Sequence, residues 1–499
     1  MKYVIGIDLG TSAVKILLVN QLGKVVNEVS KSYKLIQPQS GYSEQSPLDW
    51  VEQTVAGIRK IVQEFNGQPS KIEGISFSGQ MHGLVLLDKN NDILRNAILW
   101  NDTRTTKECI KINESVGKER LLKITKNSAL EGFTLPKLLW VKDHEPELFK
   151  RVKTFVLPKD YVRYKLTGKL HMDFSDAAGT LLFDVGKKEW SQDICELVEI
   201  NPDICPPLIA SHKEVGFITS TIAKATGLLE TTRVFAGGAD NACGAIGSGI
   251  LEDGRTLCSI GTSGVVLSYE QSANKDFEGK VHYFNHGAPN AYYTMGVTLS
   301  AGHSLTWFKE TFAKIESFDE LLNGVKTVPV GSNGLLFTPY LMGERTPHAN
   351  SKIRASFIGI DSSHKLQDFV RSVLEGITFS LNESISIFRE NGKTVDTIVS
   401  IGGGARNDVW LQMQADIFNA KIIKLSSEQG PGMGAAMLAA CGCGWFESLK
   451  ECANVFLKED KIFAPNKVNV VKYKKLFKIY RNVYESTIHL NEELAKFRT

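Results

Sequence analysis

Apolar residues fall into short blocks at two places half a chain apart, and each pair of blocks brackets the same turn. Tyr3–Ile7 and Val14–Val19 flank Gly10-Thr11-Ser12, while Thr256–Ser259 and Val265–Tyr269 flank Gly261-Thr262-Ser263. Such blocks closed by a glycine turn predict a strand, a tip and a returning strand. After Leu22-Gly23, Val25–Tyr33 reads as a third strand. Val51, Val55, Ile58, Val62 and Phe65 then recur at spacings of three and four, the apolar stripe of a helix running from Asp49 to Phe65. Three strands followed by a helix make a mixed α/β opening, unlike that of a dinucleotide-binding domain. Further on, Leu366–Asn391 predicts a long helix through Phe369, Val373, Ile377 and Leu381, Thr397–Ile401 a strand, and Asp408–Phe418 another helix. The Lys-, Tyr- and Glu-rich tail after Lys467 reads as surface helix. The stretch 132–230 has no clear period.

A chain of 499 residues exceeds one ordinary core. The glycine-rich Gly247–Gly254 segment suggests a division into residues 1–248 and 249–499. Hydrophobic content of 42% and charged content of 23% are those of a globular protein, and a net charge of +3 leaves no footprint for nucleic acid or an anionic membrane. No signal region and no membrane-spanning run is expected. The eight cysteines lack zinc spacing and suit thiols in a reducing cytoplasm.

The repeated turns carry the first chemistry. A tip of backbone N–H groups and hydroxyls can wrap an oxyanion. Two tips in duplicated halves suggest one polyphosphate gripped between two domains. Only the first copy has a carboxylate, Asp8, where the second has Ser259; that asymmetry suggests a metal-facing side and a phosphate-facing side. Ser78-Gly79-Gln80-Met81-His82-Gly83 and Trp100-Asn101-Asp102-Thr103-Arg104 both follow short strands. The second combines an aromatic platform, an amide, an acid and a guanidinium, which suits a sugar pocket, although Asp102 could equally cap a helix. Asp240, after Gly237-Gly238-Ala239, is placed to accept a proton from a substrate hydroxyl or to cap the helix that follows. Gly402-Gly403-Gly404-Ala405-Arg406-Asn407 lets a flat group lie against backbone before a helix N-terminus. It is neither a Rossmann fingerprint nor a Walker loop.

Taken in order, Asp8-Leu9-Gly10-Thr11-Ser12, Gln80-Met81-His82-Gly83, Trp100-Asn101-Asp102-Thr103-Arg104, Gly237–Asn241, Ile260–Gly264, Gly343-Glu344-Arg345-Thr346-Pro347 and Gly402–Arg406 resemble the motifs of the FGGY carbohydrate kinases. Gly132–Val141 and Ala355–Glu375 match longer patterns of the same family. The resemblance implies an α/β, actin-like fold of two ribonuclease-H-like domains flanking a catalytic cleft. It implies ATP and Mg²⁺, with Asp8 near the metal, Thr11 and Ser12 in one phosphate loop and Gly261, Thr262 and Ser263 in the other. Gly403, Gly404 and Asn407 would border the adenosine. Met81, His82, Trp100, Asp240 and Asn241 would surround the sugar, with Asp240 as base, and Gly343–Pro347 would lie near the domain interface. The implied activity is phosphorylation of a pentulose, D-xylulose at O5, with ribulose, gluconate or glycerol as alternatives and a homodimer as the family expectation. Family members acting on glycerol carry Asn-Gln-Arg-Glu where this chain has Gln80–Gly83, and those acting on gluconate usually follow Met-His with serine. Ala239 replaces a glycine common before the base, and Gly302 stands where a larger residue is usual. The rival class is an ATPase module that moves a partner protein and phosphorylates no sugar.

Overall fold

The computed structural model describes residues 1–498. Its first sheet is built from β1 (Tyr3–Leu9), β2 (Ala13–Asn20), β3 (Val25–Ser32), β4 (Ile72–Gly79), β5 (Glu214–Phe217), β6 (Arg233–Phe235) and β7 (Gly238–Ala239). The spatial order is β5-β6-β4-β1-β2-β3, with β7 alongside β4. The second sheet comprises β8 (Gly254–Ile260), β9 (Gly264–Glu270), β10 (His282–Asn285), β11 (Tyr292–Thr298), β12 (Val395–Gly402), β13 (Lys421–Leu425) and β14 (Glu459–Phe463), in the order β10-β11-β9-β8-β12-β13-β14.

The two sheets repeat one plan. β1 pairs antiparallel with β2 and parallel with β4; β8 pairs antiparallel with β9 and parallel with β12. In both, a glycine tip joins the antiparallel pair. Gly10 N donates to Ala13 O at 3.1 Å, and Gly261 N to Ser263 O at 3.0 Å. The fold is therefore the two-domain α/β arrangement that the duplicated turns predict.

Helix α1 (Pro47–Glu64) covers the first sheet, but its buried ridge is not the expected stripe. Trp50, Thr54, Gly57, Ile58 and Ile61 are buried, while Val51, Val55, Val62 and Phe65 are half-buried flanks. Gly57 turns the helix: a Cβ there would lie 2.5 Å from Ile16 Cδ1, so its face is the one that nests on β2. Helices α2 (Asp240–Gly247), α3 (Gly302–Phe312), α4 (Leu366–Glu390), α5 (Asp408–Phe418), α6 (Gly430–Gly442) and α7 (Lys467–Ala495) follow. The tail helix α7 is not purely a surface helix. It lays Val470, Tyr473, Tyr480 and Val483 against the core, and Tyr473 Oη donates to Glu375 Oε1 and accepts from Arg371 Nη2, each at 2.8 Å.

Helix α6 belongs by sequence to the second half and by packing to the first sheet. It joins Val4, Leu17 and Val19 in one apolar cluster with Met433, Ala436 and Ala440. Small residues make that approach possible. A Cβ on Gly6 would lie 2.2 Å from Gly432 O, one on Gly247 2.1 Å from Gly430 O, and one on Gly434 1.9 Å from Cys243 O. Among the described residues no helix is long and apolar enough to cross a membrane, and all eight cysteines are free thiols.

Backbone atoms cannot yield to a new methyl group as side chains can. Gly434→Ala is expected to lower stability by about 3 kcal/mol in chemical denaturation. Gly244→Ala, in the same helix pair but with its nearest neighbour at 3.7 Å, should be neutral or stabilising, because alanine favours helix by about 1 kcal/mol. Equal effects would remove close backbone contact as the constraint.

Candidate active site

Asp8 lies near the end of β1, opposite Ser78 in β4 and Lys15 in β2. Desolvation pushes its carboxyl up to about 6, with Ser78 and Lys15 opposing the rise. The hairpin tip beyond it is held from three directions. The Tyr33 hydroxyl donates to Gly10 O. Gln45 Nε2 donates to Thr11 O at 2.6 Å, and Trp100 Nε1 donates to Thr11 Oγ1 at 2.9 Å. Ser12 remains exposed at the tip.

Asp240 is the first residue of α2, and Ala239 takes the cap position. Its Oδ1 accepts from Asn241 N at 2.7 Å and from Asn241 Nδ2 at 3.0 Å; its Oδ2 has no hydrogen-bond partner among the described residues. Desolvation, and then the charge of Asp8, push this carboxyl up to about 7. Two carboxylates that share one desolvated site are a standing demand for a cation or a proton.

Met81 touches the same wall. Its Sδ lies 3.6 Å from Asn241 Nδ2 and 3.9 Å from Tyr293 Oη. His82 follows with φ at 68°, a left-handed turn that swings the ring inward. Its Nδ1 lies 2.7 Å from Gly179 O. A carbonyl oxygen only accepts, so Nδ1 carries the proton. Burial, with help from the Lys137 charge, pulls the imidazole down to about 3. His82 is therefore neutral, and Nε2 is an acceptor suited to a hydroxyl donor. The ring is wedged 4.7 Å from Phe133. Beneath it, Lys137 Nζ donates to the carbonyls of Phe133 at 3.0 Å and His82 at 3.3 Å, and to Gly132 O.

The cluster at Trp100–Arg104 divides. Trp100 is 46% exposed and available as a platform. Asp102 and Arg104 are consumed in a buried pair at 2.6 Å, and the guanidinium lies 3.6 Å from the Tyr42 ring centroid and 2.8 Å from Glu44. Asp102 also accepts from Ser43 N at 2.6 Å and caps no helix, since the next one, Thr106–Val116, follows Thr105.

The second hairpin opens onto a cavity of about 420 Å³ that gathers Gly261, Thr262, Gly403, Gly404 and Asn407 from separate segments. Ser263 is exposed at its tip. Asn407 Oδ1 caps α5, accepting from Val409 N at 3.0 Å and Trp410 N at 3.2 Å. Gly302 has a direct reason to be small: a Cβ there would lie 2.5 Å from Gly261 O, and its own N–H donates to that oxygen at 2.8 Å. The cavity also takes Arg406 from the glycine motif, together with His303, Phe318 and Leu322, to which sequence alone assigns no role. Phe318 and Leu322 lie on a short helix over fifty residues from the hairpin and look like any core pair.

Gly343–Pro347 docks at the end of β11. Glu344 accepts from Leu299 N at 3.1 Å, Arg345 N at 2.8 Å and Ser380 Oγ at 3.1 Å, and burial pushes it up to about 7. Arg345 makes no side-chain hydrogen bond or ion pair among the described residues, yet its charge helps lower His82 and His282. This ties the segment to both halves of the cleft.

Comparison with known proteins adds three findings. Residues 3–247 match the N-terminal domain of the FGGY family of carbohydrate kinases, and residues 256–443 match its C-terminal domain. A xylulose kinase of Bacillus subtilis is 64% identical over 498 residues, covering 100% of both chains. Two solved structures from Lactobacillus acidophilus superpose with a TM-score of 0.94. One is a ligand-bound xylulose kinase, 28% identical and covering 99% of this chain and 100% of its own. The other is a gluconate kinase, 29% identical and covering 100% of both.

The His82 geometry makes a spectroscopic prediction. Nitrogen NMR should find His82 as the neutral Nδ1–H tautomer throughout about pH 5.5 to 8, the range in which an ordinary histidine titrates. A midpoint within that range would remove it as a fixed acceptor.

Proposed function

The chain belongs to the FGGY family of carbohydrate kinases, and from that membership we propose that it transfers the γ-phosphoryl group of ATP to O5 of D-xylulose, giving D-xylulose 5-phosphate and ADP. The observation that carries the reading is the wall shared by Asp240, Asn241 and Met81. Asn241 joins Asp240 Oδ1 at 3.0 Å to Met81 Sδ at 3.6 Å, while the charge of Asp8 reaches the same carboxyl. A hydroxyl beside Met81 and His82 would then meet a base on one side and the first phosphate hairpin on the other.

In this reading residues 1–248 hold the sugar and 249–499 the nucleotide. His82 Nε2 accepts from a sugar hydroxyl, and Trp100 offers a stacking face. Thr11 and Ser12 on one hairpin and Gly261, Thr262 and Ser263 on the other donate to phosphate oxygens. The cavity between Gly403-Gly404 and Phe318 takes the flat base, with Asn407 at its edge. Asp8 fits a Mg²⁺ site because its repulsion with Asp240 is what a divalent cation relieves; bound there, Mg²⁺ supplies charge neutralisation for the transferring phosphoryl group. Asp240 orients the nucleophilic oxygen and takes its proton late, since phosphoryl transfer depends mainly on alignment. The same reading takes the enzyme as cytoplasmic and as a homodimer.

One observation favours a second substrate class. Arg345 makes no direct ion pair among the described residues, although the charges of Glu131 and Glu344 reach it, and its own charge is felt at His82. A sugar acid would give it one, and the gluconate kinase above shares the fold.

The deciding assay is Mg²⁺-ATP-dependent ADP release with D-xylulose, D-ribulose, L-ribulose, glycerol or gluconate, and with no sugar. D-xylulose should be strongly preferred. A preference for gluconate would transfer the reading to Arg345, and sugar-independent hydrolysis alone would overturn it. Asp240→Ala should lower kcat by at least about a hundredfold while ATP still binds; near-normal kcat would remove it as base. The pH dependence follows from its raised pKa. The base works ionised, so at low Mg²⁺-ATP, where the free enzyme is the reacting form, kcat/KM for the sugar should rise with pH through a limb near 7 rather than near the ordinary 3.8, and saturating Mg²⁺-ATP should move that limb lower by relieving the repulsion from Asp8. A profile flat down to about pH 5 at low Mg²⁺-ATP would contradict this.

A further inference from the structure

A buried ionic cluster that the proposed chemistry leaves unused lies beneath both strands that end at the sugar pocket. Lys159, in the helix Pro158–Thr167, has no solvent exposure. Its Nζ lies 2.7 Å from Asp160, 2.7 Å from Asp173 and 2.8 Å from Asp176. Arg163 pairs with Asp160 at 2.9 Å. Three convergent carboxylates resemble a metal site, but the ammonium already fills their centre. Burial, and then the neighbouring Asp173 and Asp160 charges, push Asp176 well above the ordinary carboxylate range.

Assembling such a cluster costs desolvation that ion pairing seldom exceeds, so its presence is weak evidence of a stabilising role. Its contacts point elsewhere. Asp173 Oδ2 accepts from Ser175 N at 2.9 Å, Ser175 Oγ at 2.5 Å and Ser211 Oγ at 2.9 Å. Ser175 Oγ spends its proton on Asp173, which leaves its lone pairs to accept from Ala239 N at 2.9 Å. Arg163 Nη1 donates to Ala236 O at 2.6 Å, and Gly237 N donates to Ser211 O at 2.9 Å. Residues 236, 237 and 239 are thus each tied to the cluster or its neighbours, and Asp240 comes next. The other strand end leans on it too: Ala239 pairs with Gly79, where a Cβ would lie 2.7 Å from Lys159 Cβ.

We propose that Lys159, Asp173 and Ser175 are positioning residues for the Asp240 turn, fixing where that carboxylate meets the sugar hydroxyl. The inference rests on Asp240 being the base. The cluster acts through backbone, by anchoring the amide of Ala239, and touches no substrate.

Ser175→Ala removes the anchor without unbalancing charge. With D-xylulose and Mg²⁺-ATP, kcat should fall about a hundredfold, the effect of a displacement near 1 Å. Both KM values should stay within about twofold, because the loss is confined to the transition state. Ser175→Thr, which keeps the hydroxyl, should recover most of the loss. A normal kcat in Ser175→Ala, alongside a dead Asp240→Ala, would overturn the positioning role and leave the base intact. An active Asp240→Ala would overturn both. Should Ser175→Ala not fold, Ser211→Ala removes one donor to Asp173 and must lower kcat in the same way; unchanged kcat there would likewise overturn the role.

Discussion

The active centre depends on two small-residue helices being allowed to touch. α2 and α6 meet with backbone against backbone, at distances that leave no room for a single methyl group at Gly247 or Gly434. The first of these helices begins with Asp240. The second begins beside Asp8: a Cβ on Gly432 would lie 3.7 Å from Asp8 Cβ. One packing constraint therefore sets the separation of the two acids.

Around this centre the protein arranges charge by desolvation rather than by pairing. Asp8 and Asp240 are raised, so each is ready for a cation or a proton. His82 is lowered and its Nδ1 is engaged by a carbonyl, which leaves Nε2 as a neutral acceptor. Charges that must remain ionised are paired away from the cleft, as in Arg104 with Asp102 and Lys159 with its carboxylates. Asp8, Asp240 and His82 thus stand outside ion pairs, while Asp102, Arg104 and Lys159 are held within them.

Much of this was legible in the chain. The duplicated Gly-Thr-Ser turns, their flanking strands and the α5 boundaries follow from period and glycine position, and these are local signals. What was illegible is long-range. The burial ridge of α1 rotates because Gly57 meets Ile16, a contact no helical period contains. The tyrosines of α7 looked like surface residues because lysines surround them. Phe318 and Leu322 join the cavity beside the second hairpin only through the tertiary fold. Asp102 and Arg104 read as ligand groups in sequence because nothing local reveals that Tyr42 and Glu44 already satisfy the arginine. The Lys159 cluster was missed for a related reason: ionic residues spread over helix, strand and loop carry no pattern until folding brings them together.

The crossing of α6 onto the first sheet has a consequence for how the protein comes into being. The face of that sheet carrying Val4, Leu17 and Val19 is covered by Met433, Ala436 and Ala440. During synthesis those cover residues appear only after more than four hundred others have left the ribosome. The amino-terminal half must wait with an apolar face unclothed, during the interval in which nascent chains are most prone to aggregate. The molecule is thus two sheets in architecture and one unit in maturation: its first sheet is finished by a helix made long after its own strands.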